Sequence, residues 1–396
     1  MLTRPVSKPP AALAGRSGHC SAGYLPEPGQ ILLLRAALGQ GVGAARAWEE
    51  WERENGLDRP DEGSYRLLPL VYRNLTGQGY AGPQWNILRG IHRSVWSRNQ
   101  HLFHHVRPLI EELRAGGVPL LLCKGVALAL TLYPDAGCRP MRDIDILVPS
   151  VHGATVLQRL ENAGWVPLNW RPRRLDEAFL HYRHAMDLEA SGGSRVDLHW
   201  HALNLCCHDS ADGPFWAHAQ PIEFVGLPLR TCHSTEHLLQ ACANGVVWSP
   251  VPPVRWAADA VLLLRGPDAI DWMRLVETAD RLAIAPYVCS ALAFLRRELD
   301  APVPADVLLR LEKMPVSASV RAEFARETAP HDPRTAWQDL LSLYARWRRS
   351  LGGAAAVWNA GGFVRHLQYA FELESAWSLP GRLTRAAIRR TKATRS

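Results

Sequence analysis

The residues of this chain best spaced for chemistry are Asp143 and Asp145, in the run DIDILV. Two apart on a strand, they leave the same face with Cα atoms roughly 6.5–7 Å apart, so their carboxylates can converge on shared cations. Ile144, Ile146 and Val148 alternate with them and bury the opposite face. Two carboxylates at the edge of a core repel each other, so a divalent cation is their natural partner. A D-hydrophobic-D triplet alone also fits two exposed acids on a half-buried strand, and three neighbours weigh against that plainer reading. The apolar run 118–123 is broken by Lys124-Gly125 before a short helix, a strand–glycine–helix unit whose backbone N–H groups can meet phosphate. Arg139 and Arg142 lie just upstream of the pair, and Asp197 sits in a later strand between Val196 and Leu198.

His199 and His201 share a strand face with Asp197, and Cys206, Cys207 and His208 follow. A zinc site is the competing metal centre, but zinc sites space their cysteines by two to four residues and adjacent cysteines chelate poorly. His199 is therefore expected near the metal face or orienting Asp197, with His201, Cys206 and Cys207 in packing. His104-His105 reads as a surface or helix-contact pair.

The elements that must position these residues follow from hydrophobic period. Residues 1–29, rich in Pro, Gly, Ala and Ser, read as a disordered leader. Residues 30–116 are helical: Trp85, Leu88, Ile91, Val95, Leu102, Val106, Ile110 and Leu113 form one stripe, ended by Gly116-Gly117. Between 117 and 232 the period shortens. Strands are expected over 118–123, 143–148, 165–168, 181–189 and 194–201, the last two joined by Ser191-Gly192-Gly193, with a further hairpin at 222–229. Helices return over 233–378, among them 234–244, 254–264, 270–282, 285–299, 335–349 and 355–376. The fold class expected is α+β, a small mixed sheet flanked by helical N-terminal and C-terminal regions.

Composition sets outer limits. With 47% hydrophobic and 21% charged residues over 396 positions, the chain suits two or three ordinary globular domains. The net charge of +7 is mostly one tail (379–396), whose last fifteen residues carry six positive charges and no acid, so the rest of the chain carries +1. A nucleic-acid partner is accordingly not favoured. Eight scattered cysteines make no disulfide framework, no apolar run approaches the ~18 residues of a bilayer span, and no signal core opens the chain. A cytoplasmic location is the default expectation.

A strand, a glycine, a helix, a D-h-D-h strand and one more Asp on a later strand together resemble the DNA polymerase β-like nucleotidyltransferase superfamily. More narrowly, KG-x-A-L, LYPD-x-G-x-RPM-x-DIDILV, VDLHWH, EHLLQACANGV, VRWAADAVLLL and the upstream YRLLPLVYRNL are similar to a bacterial family of uncharacterised nucleotidyltransferases, the type found near lasso-peptide genes. The resemblance runs in order from Tyr65 to Leu299. It implies transfer of a nucleoside monophosphate, AMP first among candidates, from a nucleoside triphosphate to a hydroxyl of a small molecule or peptide. It further implies two Mg²⁺ (or Mn²⁺) ions held by Asp143 and Asp145, with Asp197 completing the ion that activates the acceptor. Gly125, with Lys124, Arg139 and Arg142, would grip the triphosphate. His184 stands where the family tends to have histidine, and Asn244 or Arg255 could face substrate from a helical partner domain. Two departures stand out: Lys124-Gly125 replaces the superfamily's Gly-Ser, and Arg142 replaces a small residue. They motivate a rival, a non-catalytic nucleotide-binding accessory protein; a toxin-like transferase acting on tRNA is a second rival.

Overall fold

The computed structural model describes residues 24–172, 175–249, 253–329, 336–351 and 360–381; most of the expected leader and the tail beyond Gly381 lie outside the described residues. Four helices come first, α1 (Pro28–Leu38), α2 (Gly41–Asn55), α3 (Glu62–Gly77) and α4 (Trp85–Ala115). α1 starts inside the stretch expected to be leader, because Pro28 suits a first helical turn and Glu27 with Gln30 closes a capping box. The α/β part runs β1 (Leu121–Cys123), α5 (Lys124–Thr131), β2 (Ile144–Leu147), α6 (Ser150–Asn162), β3 (Val166–Pro167), α7 (Glu177–Tyr182), β4 (Ala185–Glu189), β5 (Arg195–His199), α8 (Asp209–Ala217), β6 (Gln220–Phe224) and β7 (Leu227–Thr231). Helices follow: α9 (Ser234–Gly245), α10 (Arg255–Arg265), α11 (Trp272–Arg281), α12 (Ala285–Leu299), α13 (Ala305–Glu312), α14 (Ala318–Glu327), α15 (Ala336–Ser350) and α16 (Ala360–Ala370). The fold is α+β, as the sequence pattern implies. No helix among the described residues is long and apolar enough to cross a membrane.

The seven strands form one mixed sheet in the order β3-β4-β5-β2-β1-β7-β6. β2 lies antiparallel to β1 and parallel to β5, and β4 and β5 form the hairpin expected around Gly192-Gly193, both glycines at positive φ. The strand expected over 181–189 opens only at Ala185. His181 belongs instead to α7, whose N-cap Asp176 accepts from the Phe179 backbone N–H.

The alternation of each strand divides the molecule into two cores. Leu122, Ile144, Ile146, Val196 and Leu198 pack with Val106, Ile110 and Leu113 of α4 and Val156, Leu157 and Leu160 of α6. From the other face, Leu121, Cys123 and Leu147 join the larger cluster of α1–α3 and α9–α13. The carboxylates expected to do chemistry stand on this second face, between the sheet and the C-terminal helices.

Helices α9 and α10 cross at a close contact: a Cβ on Gly245 would lie 2.2 Å from Cγ of Trp256, a buried ring that cannot easily withdraw. Alanine's better helix propensity is worth ~1 kcal/mol, less than the ~1–3 kcal/mol of overpacking. Gly245→Ala is therefore expected to lower the melting temperature by a few degrees in a thermal scan, against the propensity-only expectation of a rise.

Candidate functional site

Sheet register assembles the site. Asp145 on β2 is the direct neighbour of Asp197 on β5, which in turn faces Asp187 on β4. Three carboxylates thus stand side by side on one face of adjacent strands, and Cys123 of β1 continues the row beyond Asp145. Asp143 falls just before β2 rather than within it. Asp187 was not singled out in the sequence, although it and Asp197 are equidistant from Gly192 at the hairpin turn.

The chain answers this negative charge with its own cation. Lys124, the first residue of α5, has φ 47°, a left-handed conformation unusual for a side-chain-bearing residue. That backbone turn sends its Nζ to 2.7 Å from Asp145 Oδ1, 2.9 Å from His199 Nε2 and 3.7 Å from Asp197 Oδ2. His199, buried on β5, brings Nε2 to 2.8 Å from Asp197 Oδ2 and 3.1 Å from Asp145 Oδ1. Asp145, Asp197 and His199 hold their donor atoms within 4.8 Å of one another, a spacing that suits a metal ion. Their oxygens and imidazole are donor types suited to a divalent cation, as are the carboxylates of Asp143 and Asp187 beside them, but among the three the Lys124 ammonium already stands.

Titration follows these contacts. Burial alone would raise Asp145 and Asp197, but Lys124 and His199 lower both, Asp197 well below the usual carboxylate range. Burial opposes the Lys124 charge, and Asp145 and Asp197 overcome it, so its pKa is raised. Burial likewise opposes protonation of His199, and Asp197 prevails, raising it to about 9. Asp143 goes the other way: burial, then the fields of Asp145 and Asp197, push it up to about 6. Asp187 is raised by burial and by Asp197. His184, whose ring lies 5.6 Å from that of His199, is kept neutral by burial and by the His199 charge.

Beside the carboxylates lies a cleft of about 540 Å³ between the sheet, α3 and the α9–α10 pair. Lys124, Arg66, Arg139, Arg255 and Asn244 line it. Burial and the neighbouring Arg139 and Arg66 lower Arg255 to about 10, which marks the wall as crowded with positive charge. An anion is the ligand this wall favours. Arg66 was not foreseen, since nothing marks a single arginine on an N-terminal helix as a cleft residue.

Two of the expected phosphate residues are engaged by acids of the chain. Arg139 lies against the cleft, but its Nε and Nη2 are committed to Asp259 of α10 at 2.8 and 2.7 Å. The Tyr133 hydroxyl donates to the same carboxylate at 2.6 Å. Its remaining Nη1 lies 2.5 Å from where a Cβ on Gly125 would stand, which accounts for the glycine. Arg142 is exposed and pairs with Glu62 at the start of α3, at 2.6 Å. The zinc reading gains no tetrad: His201 bonds Asp212 at 2.7 Å, and the Cys206 and Cys207 thiols donate to the backbone carbonyls of Leu282 and Asn204. His104 and His105 contact the Gln100 carbonyl and Ser194.

Comparison with known proteins bears on this geometry. A family model described as an uncharacterised nucleotidyltransferase matches residues 64–300. No curated protein matches the chain. Among solved structures, an antigenic nucleotidyltransferase-like protein from Paracoccidioides brasiliensis is similar at 14% identity and a TM-score of 0.33, covering 55% of this chain and 95% of that one. The lincosamide antibiotic adenylyltransferase LnuA, lincomycin-bound, is similar at 17% identity and a TM-score of 0.28, covering 40% of this chain and 93% of its own. At these scores neither overlay assigns a role to any residue.

The raised Asp143 has a consequence for stability. Its folded pKa of about 6 exceeds the unfolded value of 3.8, so the folded state holds the proton more tightly and stability falls as pH rises between the two. Asp143→Asn removes that penalty. In chelator-treated protein the variant should be more stable than wild type by ~1–2 kcal/mol above pH 6, after allowance for partial exposure. The difference should vanish below about pH 4, near the unfolded value, as read from urea midpoints at both ends.

Proposed function

The chain belongs to the family of uncharacterised nucleotidyltransferases, and on that premise we propose that it moves a nucleoside monophosphate from a nucleoside triphosphate to a hydroxyl of a small molecule or peptide. AMP is the nucleotide put first. The observation that carries the reading is the side-by-side row Asp145, Asp197 and Asp187, joined by Asp143, opening beside an arginine-lined cleft.

In this reading the triphosphate lies in the cleft against Arg66, Arg255 and Lys124. Asp143 and Asp145 would hold Mg²⁺ or Mn²⁺, with Asp197 adjoining. When bound, such a cation supplies Lewis-acid charge that offsets the negative charge of the reacting phosphate. The acceptor oxygen forms its bond to the α-phosphorus, the α–β phosphoanhydride bond breaks, and pyrophosphate leaves. Asp197, held low by His199 and Lys124, is a poor proton acceptor. Asp187, raised by burial beside it, is better tuned to take the proton of the acceptor hydroxyl. The chain's own work is charge complementarity and alignment, the usual means of phosphoryl transfer. Lys124 inside the acidic cluster also keeps the accessory-protein reading alive, because an internal cation can neutralise the site without turnover.

Mass spectrometry of wild-type protein given Mg²⁺, each labelled triphosphate and a mixture of metabolites and peptides should reveal a nucleotidylated product. Asp143→Asn and Asp145→Asn should lower its formation by more than about 100-fold, the scale of removing a charge-stabilising group. Tight nucleotide binding without product would favour the accessory protein instead. Arg66→Ala and Arg255→Ala should each weaken ATP binding by about tenfold, in calorimetry, through the loss of a charge-assisted contact; unchanged affinities would remove the triphosphate from this cleft.

A further inference from the structure

The resemblance to polymerase β-like enzymes implies two divalent ions, and the donor set does not accommodate both. The second ion would use Asp145, Asp197 and His199, the cluster whose donor atoms lie within 4.8 Å of one another. The Lys124 ammonium already stands in it, 2.7 Å from Asp145 Oδ1, 2.9 Å from His199 Nε2 and 3.7 Å from Asp197 Oδ2. A divalent ion at its usual ~2.0–2.2 Å from the same donors would be in contact with the ammonium. Like charges so close repel strongly in a partly buried site.

Lys124 is not loosely placed. Its φ of 47° at the β1–α5 junction directs the side chain towards the sheet, and the next residue, Gly125, is backed by the Arg139 guanidinium that Asp259 fixes. Its carboxylate partners among the described residues are Asp145 and Asp197. The first ion's ligands are free by contrast. Among the described residues Asp143 makes no ion pair, and the hydrogen bonds to Asp145 all fall on Oδ1, leaving Oδ2 open.

We propose that this centre takes a single divalent cation, between Asp143 and Asp145 Oδ2, and that the Lys124 ammonium permanently occupies the second cation's place. The superfamily's Gly-Ser, replaced here by Lys124-Gly125, then marks a change in cation count rather than a loss of phosphate binding. The inference deepens the transferase reading and rests on it for its catalytic meaning, but cation occupancy is measurable without turnover.

The test is Mn²⁺ binding by the chelator-treated full chain, alone and with α,β-methylene-ATP, followed by equilibrium dialysis and electron paramagnetic resonance. Wild type should bind one Mn²⁺ per chain, without the spin–spin coupling of a pair ~3.5–4 Å apart. Lys124→Met should gain a second, coupled Mn²⁺, Lys124→Arg should stay at one, and Asp143→Asn should lose the wild-type ion. Two ions or none in wild type, or a single ion in folded Lys124→Met, would overturn the proposal. If Lys124→Met fails to fold, the wild-type count decides. One Mn²⁺ with no nucleotide transfer would leave this inference standing and sink the transferase reading; two Mn²⁺ with transfer would do the reverse.

Discussion

The structure turns on a repulsion: Asp145 and Asp197 are lateral neighbours on parallel strands, with Asp187 directly across from Asp197. Like charges opposed across strands destabilise a sheet. Register cannot relieve them, because Ile144, Ile146, Val196 and Leu198 bury the reverse face under α4 and α6. A slip of one residue would drive the carboxylates into that core and the aliphatic side chains out of it. The hydrophobic face thus enforces the charged one. What remains is to neutralise the row, and the chain does so from both sides, with Lys124 from β1–α5 and His199 from β5 itself. The left-handed backbone at Lys124 is local strain that this attraction sustains.

The cleft repeats the arrangement with the opposite sign. Arg66, Arg139 and Arg255 come from three separate parts of the chain, and burial first, then the charges of Arg139 and Arg66, depress Arg255. A negative row and a wall rich in arginine thus stand on either side of one opening, the charge arrangement from which the proposed placement of a triphosphate and its cation is argued. Within each half the perturbation falls on particular members, Asp143 and Asp187 raised in the row and Arg255 lowered in the wall, and such perturbed groups gathered at one cleft are a reason to look for function there.

Local pattern and long-range contact were unequally legible. The D-h-D triplet, the alternation around Asp197 and the Gly192-Gly193 turn carry their geometry in a few residues, so the strands and the hairpin could be read directly, whereas the meeting of Asp145 with Asp197 is a long-range pairing that only the family resemblance implied. Boundaries were less secure: His181 reads as strand by composition, yet the Asp176 cap draws it into α7. Helix α8 contains Gly213 and Pro214, which hide it from any propensity argument. Arg139 and Arg142 were read for charge alone, and a sequence does not say which acid each will meet. Asp259 lies 120 residues from Arg139 and Glu62 lies 80 from Arg142. The division of labour among cations, with Lys124 inside the cluster and Arg139 behind it, exists only once the chain has folded.

Arg139 ties the two halves together. Its paired bonds to Asp259, with Tyr133 on the same carboxylate, join the 132–143 connection to α10 inside the protein. Asn99 of α4 donates to the Ala136 and Arg139 carbonyls, and Arg255 of α10 donates to the Pro140 carbonyl, so this connection is gripped from three directions. A buried ion pair contributes little net stability, because desolvation offsets most of its attraction, but separating its members is strongly unfavourable. Its value here is positional. The connection it holds leads directly into Asp143, while α10 carries Arg255, so the lock sets the distance between the carboxylate row and the arginine wall. With its Nε and Nη2 spent on Asp259, Arg139 serves the site by position, holding the helix that carries Arg255 and the connection that leads into the acidic row in one frame.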